Sequence, residues 1–137
     1  VTIQKVLLVD DDPSIRRIGE ICLSKVGGWH VMVAASALEA LDILNDFQPD
    51  VILLDVMMPQ WDGITAFPSF VEKTEGKTPI IFMTAKVMKH ELARYTELGA
   101  AGVVAKPFEP MLLPKEVQAI VGSFLRTQME LPSPCVA

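Results

Sequence analysis

Five short apolar runs, each followed by a polar or charged residue, alternate along this chain with stretches of helical periodicity. The runs cover 5–9, 29–35, 51–54, 79–83 and 102–105. Continuous apolar runs of this length suit strands buried on both faces of a parallel sheet. The clearest is Val51-Ile52-Leu53-Leu54, which leads straight into Asp55. Pro59 and Trp61-Asp62-Gly63 turn the chain soon afterwards, so Asp55 is expected at the carboxyl end of a central strand. The second run is less purely apolar and is expected near an edge.

The intervening stretches read as helices. Asp12 and Pro13 make a start signal, with Ile15, Ile18, Cys22 and Val26 as the core stripe and Gly27-Gly28 as the stop. Ser36 with Glu39 opens a second helix through Leu38, Leu41 and Leu44, ended by Pro49. A third helix follows Gly63, and Pro68 predicts a late start or a kink. Met88, Leu92, Tyr95 and Leu98 mark a fourth, stopped by Gly99. A fifth carries Val117, Ile120, Val121 and Phe124, with Pro114 delaying its first turn. Strand–helix alternation of this kind predicts a single doubly wound α/β domain, a five-stranded parallel sheet with helices on both faces.

At 137 residues the chain is the size of one domain. Half of it is hydrophobic and its net charge is -5, without a basic cluster, which argues against disorder and against direct nucleic-acid binding. No apolar run approaches the roughly 20 residues of a membrane span. The first residues lack a signal-peptide layout. Cys22 and Cys135 form no metal or CxxC pattern and are expected as free thiols, with the cytoplasm as location. His30 and His90 are isolated and receive no metal or phosphodonor role. Trp61 is read as a loop residue packed on its neighbours.

In a parallel sheet all strand-to-helix loops leave from one rim, where open α/β sheets bind ligands. Four of these loops deliver Asp10-Asp11-Asp12, Asp55, Thr84 and Lys106. Each has a plain reading alone: a helix cap, a turn residue, a turn hydroxyl, a solvated charge. Together they have a chemical one. Clustered carboxylates repel, and a hard divalent cation with oxygen ligands, Mg²⁺, relieves the repulsion. A metal and a lysine around one carboxylate make a site for a phosphoryl group. Asp55 is then a nucleophile able to hold that group as an acyl phosphate, with Thr84 as hydrogen-bond donor.

The set Asp10-Asp11, Asp55, Thr84-Ala85 and Lys106-Pro107-Phe108 resembles the receiver domain of two-component response regulators, of the chemotaxis-regulator kind. Leu54-Asp55-Val56-Met57-Met58-Pro59 with Asp62-Gly63, and Leu98-Gly99-Ala100-Ala101-Gly102, extend the likeness, which covers about Lys5 to Leu125. The resemblance implies a flavodoxin-like sheet of order 2-1-3-4-5. It implies Asp55 as phosphoacceptor. Asp10, Asp11, Asp55 and the backbone carbonyl of Met57 would hold Mg²⁺, Lys106 would contact the phosphoryl oxygens, and Thr84 would turn toward them. It also implies a cis Lys106–Pro107 bond. The donor would be a phosphohistidine on a sensor histidine kinase or phosphotransfer domain, docking near the first helix with Ile15 and Phe108 as apolar contacts. Family analogy allows a homodimer through the fourth and fifth helices.

Two departures stand out. Family members often carry an aromatic residue three positions before the lysine, and here it is Val103. The expectation is retained phosphorylation with a muted change at the fourth helix, fifth strand and fifth helix. The two positions that in the family bear on acyl-phosphate lifetime are here Met57 and Lys86, and the resemblance then implies slow self-dephosphorylation. The expected division is a receiver domain over 1–128 and a tail or linker over 129–137, either of a stand-alone receiver or of a piece of a larger regulator. The expected role is signalling, not enzymatic turnover. The alternative is a degenerate receiver acting as a phosphorylation-independent interaction module. An aspartate-nucleophile phosphatase fits less well, because Met57 stands where its second acid would be.

Overall fold

A computed structural model of the chain describes residues 3–130. The elements in order are β1 (Lys5–Val9), α1 (Pro13–Ile21) continued by a π-helical turn (Cys22–Val26), β2 (His30–Ala34), α2 (Ala37–Ile43), β3 (Val51–Asp55), α3 (Gly63–Lys73), β4 (Ile80–Thr84), α4 (Lys89–Leu98), β5 (Gly102–Ala105) and α5 (Leu113–Glu130). The strands form one parallel sheet of order β2-β1-β3-β4-β5, as expected, with β2 on an edge. Cys135 and 131–137 of the expected tail lie outside the described residues.

Side chains alternate across the sheet and split the core in two. Leu7, Val9, Ile52, Leu54, Ile80 and Phe82 meet α2, α3 and α4 through Ala37, Ala40, Ala66, Phe67, Phe70 and Tyr95. Val6, Leu8, Leu53, Ile81, Met83 and Val104 meet α1 and α5 through Cys22, Leu23, Val117 and Val121. The three central strands are buried along nearly their whole length, which is why they read as unbroken apolar runs.

The helices depart from the sequence reading in detail. Of the expected stripe, Cys22 is buried while Ile18 and Val26 are exposed, and α1 approaches the sheet through Gly19 and Leu23 beside Cys22. A Cβ on Gly19 would stand 2.5 Å from Leu8 Cδ2, so α1 lies too close for a larger residue there. The π-helical turn at Cys22–Val26 adds a residue to its turn and carries Val26 away from the core. Helix α2 ends at Ile43, well before Pro49, and Leu38 faces water while Ala37 and Ala40 are buried. Helix α3 starts at Gly63 and runs through Pro68, so of the late start or kink expected there the late start does not occur. Pro68 is exposed, so water can serve the carbonyl its missing N–H leaves free. Pro114 sits in the first turn of α5, where an N–H has no helical partner, and delays nothing. Met88, Leu92 and Leu98 are exposed, leaving Tyr95 as the buried residue of α4.

Candidate phosphoryl and metal site

The parallel register brings the carboxyl ends of four strands to one rim. Asp10 follows β1, Asp55 closes β3, Thr84 closes β4 and Lys106 follows β5. Asp10, Asp55 and Thr84 are essentially buried at 0%, 2% and 0% exposure. Lys106 reaches back across the rim, its Nζ 2.9 Å from Asp10 Oδ2 and 3.4 Å from Asp55 Oδ1. Carboxylate oxygens of Asp10, Asp11 and Asp55 all lie within 4.8 Å of one another. The rim thus gathers the residues expected there. Asp12 is turned to other work: its carboxylate accepts from Ser14 N at 2.9 Å and caps α1.

Local structure holds each group in place. Asp10 Oδ1 accepts from Asp12 N at 2.9 Å, and Arg16 Nη1 donates to the Asp10 carbonyl at 2.9 Å. Asp55 Oδ1 accepts from Met57 N at 3.2 Å. Asp62 caps α3 by accepting from Thr65 N, and Gly63 N donates to the Val56 carbonyl at 3.0 Å, clamping the loop after Asp55. Thr84 Oγ1 accepts from Lys86 N at 3.0 Å. The Lys106–Pro107 bond is cis, as the resemblance implied. Arg16 was not singled out in the sequence. It lies on α1, six residues from Asp10, and no motif marks it.

The electrostatics are those of crowded like charges. Burial, and then the charge of Asp10, raise the Asp55 carboxyl from 3.8 to about 7, against the pull of Lys106. Burial disfavours the Lys106 ammonium, but Asp10 and Asp55 outweigh this and hold it above its usual 10.5. An oxygen-only donor set of three carboxylates, with one member exposed to solvent, fits a partly hydrated Mg²⁺. Asp10, Asp11 and Asp55 would hold such an ion. No other group of three or more acidic, His or Cys side chains among the described residues is spaced for a metal.

The other residues singled out fall as follows. Met57 and Lys86 are exposed beside the site. Val103 is partly buried and pairs in register with Phe82. Ile15 and Phe108 are both half-buried. Trp61 packs on the α2–α4 core, as expected. Cys22 is a buried free thiol, pushed up by burial. No described helix is long and apolar enough to cross a membrane.

Comparison with known proteins gives a consistent result. The family profile described as the response regulator receiver domain matches residues 6–118. A probable transcriptional regulator of Guillardia theta, ycf27, is 39% identical over 91% of this chain and 46% of its own length. Response regulator Rre1 of Synechocystis is 34% identical over 89% of this chain and 52% of its own. The chain therefore spans about half the length of these curated relatives. Among solved structures, the chemotaxis response regulator CheY4 of Vibrio cholerae superposes with a TM-score of 0.79 at 33% identity, covering 87% of this chain and 99% of that one.

Proposed function

We propose, from the premise that this chain belongs to the response regulator receiver family, that it accepts a phosphoryl group on Asp55 with Mg²⁺ and changes its affinity for a partner. The observation that carries this reading is the buried Asp55 carboxylate, 3.4 Å from the Lys106 ammonium and sharing one rim with Asp10 and Asp11. Asp10, Asp11, Asp55 and the backbone carbonyl of Met57 would hold the ion. A Mg²⁺ bound there supplies positive charge for the phosphoryl oxygens.

The chain's own residues carry the remaining steps. An ionised Asp55 oxygen attacks phosphorus, and the bond from phosphorus to the donor imidazole breaks. Lys106 neutralises charge gathering on the phosphoryl oxygens. Thr84, released from Lys86 N, donates its hydroxyl proton in a hydrogen bond to the product. The donor is a phosphohistidine of a sensor kinase or phosphotransfer domain, docking beside α1 and the Lys106-Pro107-Phe108 loop. Ile15 and Phe108 are its apolar contacts, and exposed Ile18 extends the patch. We take 1–128 as the receiver unit and 129–137 as the tail or linker, with the cytoplasm as location. Relatives such as ycf27 of Guillardia theta are named probable transcriptional regulators. For this chain we propose a protein partner, without direct nucleic-acid contact by the receiver itself.

The test is retention of labelled phosphate from a small acyl-phosphate donor. Label that needs Mg²⁺ and is released by hydroxylamine supports an acyl phosphate. No label on folded protein favours the phosphorylation-independent module. A second expectation concerns lifetime. Met57 offers no polar group to orient an attacking water, and Lys86 is long enough to cover the phosphoryl group. Met57→Asn and Lys86→Ala are each expected to speed loss of the label, Met57→Asn by up to about 100-fold, the low end of what one positioned proton-transfer group contributes. Unchanged decay in both variants would contradict this.

A further inference from the structure

We propose that Tyr95 is the residue through which Thr84 transmits the state of Asp55 to α4. The inference rests on the phosphoacceptor reading above and assigns the route that follows it.

Helix α4 has one buried residue, Tyr95, at 2% exposure. Its ring packs on Phe82 with centroids 5.3 Å apart, and Phe82 packs in turn on Phe67. Phe82 lies two residues before Thr84 on the same strand. The β5 neighbour of Phe82 is Val103, whose small side chain brings no ring to this place. The ring that β5 lacks is supplied from α4.

Hydrogen bonds join the same residue to the site. Thr84 Oγ1 accepts from Lys86 N at 3.0 Å, and the Lys86 carbonyl accepts from Tyr95 Oη at 3.5 Å. Lys86 thus links a buried hydroxyl at the phosphoryl rim to the anchor of α4. The second bond is long and therefore weak. When Thr84 turns its hydroxyl to a phosphoryl oxygen on Asp55, Lys86 N loses its acceptor. The loop carrying Lys86 then shifts, and its carbonyl releases Tyr95. An open cleft of about 250 Å³ lined by Met57, Lys86, Arg94 and Tyr95 gives the loop space to move. Since no other residue of α4 is buried, displacement of Tyr95 displaces the helix.

Tyr95 is the only tyrosine in the chain, so 3-fluorotyrosine gives a single fluorine line. The probe is beryllofluoride with Mg²⁺, whose bound fluorines give their own lines in the same spectrum. Loading is expected to move the Tyr95 line in the native chain, and to leave it in place in Thr84→Ala loaded to saturation. Tyr95→Phe, which lacks the resting-state bond, is expected to bind beryllofluoride about 2- to 10-fold more tightly. Bound-fluoride lines with an unmoved Tyr95 line overturn the inference and leave the phosphoacceptor reading standing. An equal shift in loaded Thr84→Ala overturns the route through Thr84. Absence of bound-fluoride lines in the native chain overturns both.

Discussion

Lys106→Met is expected to destabilise the metal-free fold by about 2–3 kcal/mol at pH 8, and by less at pH 5, where the Asp55 part of the loss falls away. Removing one partner of a buried ion pair costs about 3–5 kcal/mol, because the other charge is left unpaired in a poorly polarisable place. Lys106 pairs with two carboxylates, but a fifth of its side chain remains in water, which lowers the figure. The pH dependence follows from Asp55. Its carboxyl is raised in the fold from 3.8 to about 7, so its charge works against folding. That penalty is absent below about pH 4, grows between the two values and is complete above about 7. Loss of Lys106 enlarges it where Asp55 is ionised and matters less once Asp55 takes up a proton. Lys106's own contribution is present below 10.5 and is lost only as pH rises through its higher folded value. Saturating Mg²⁺ should also reduce the cost of the substitution. Denaturant unfolding at both pH values, in EDTA and in Mg²⁺, measures all of this. An equal loss under every condition would mean that Lys106 acts through packing and not through charge.

Gly63→Ala is expected to cost about 2–3 kcal/mol and to slow phosphoryl uptake by about 100-fold. A Cβ at Gly63 would stand 2.3 Å from the Asp55 carbonyl oxygen, 3.0 Å from its carbon and 3.1 Å from Val56 Cα. These are backbone atoms of the strand that carries the phosphoacceptor, and they have no rotamer to escape into. Either α3 withdraws or the end of β3 moves. Overpacking of this kind costs about 1–3 kcal/mol, and a displacement near 1 Å at a reacting group costs about 100-fold in rate. Gly76→Ala is the control. Gly76 has φ of +69° with open space at its Cβ, so the change adds strain of about 1 kcal/mol without touching the site. Stability by urea unfolding and uptake by labelled phosphate separate the two variants. Normal uptake in Gly63→Ala would show that the close approach of α3 does not position Asp55.

The contrast between these glycines bears on what the sequence makes visible. The sheet is legible because its central strands are buried on both faces, so Val51–Asp55 and Ile80–Thr84 appear as unbroken apolar runs. Their final residues are legible with them, and so are Asp10 and Lys106, because the rim chemistry sits where each run stops. Helix faces are harder. Helices approach this sheet through small residues, Gly19, Ala37, Ala40, Gly63 and Ala66, while Ile18, Leu38, Met88 and Leu98 face water. A periodicity search weighs large apolar side chains, so beside the buried Cys22 and Tyr95 it also selects the exposed Ile18, Leu38, Met88 and Leu98. Arg16 and the hydroxyl of Tyr95 were not legible as parts of the site. Both reach it from helices, through hydrogen bonds that depend on how α1 and α4 lie on the sheet.

The phosphoacceptor assignment to Asp55 is tested most directly by intact mass after incubation with a small acyl-phosphate donor. The native chain is compared with and without EDTA, alongside Asp55→Asn. A single phosphoryl adduct is expected in Mg²⁺, with none in EDTA and none in Asp55→Asn. An adduct that persists in folded Asp55→Asn, or that forms equally well in EDTA, would contradict the assignment of Asp55 and of the acidic rim around it.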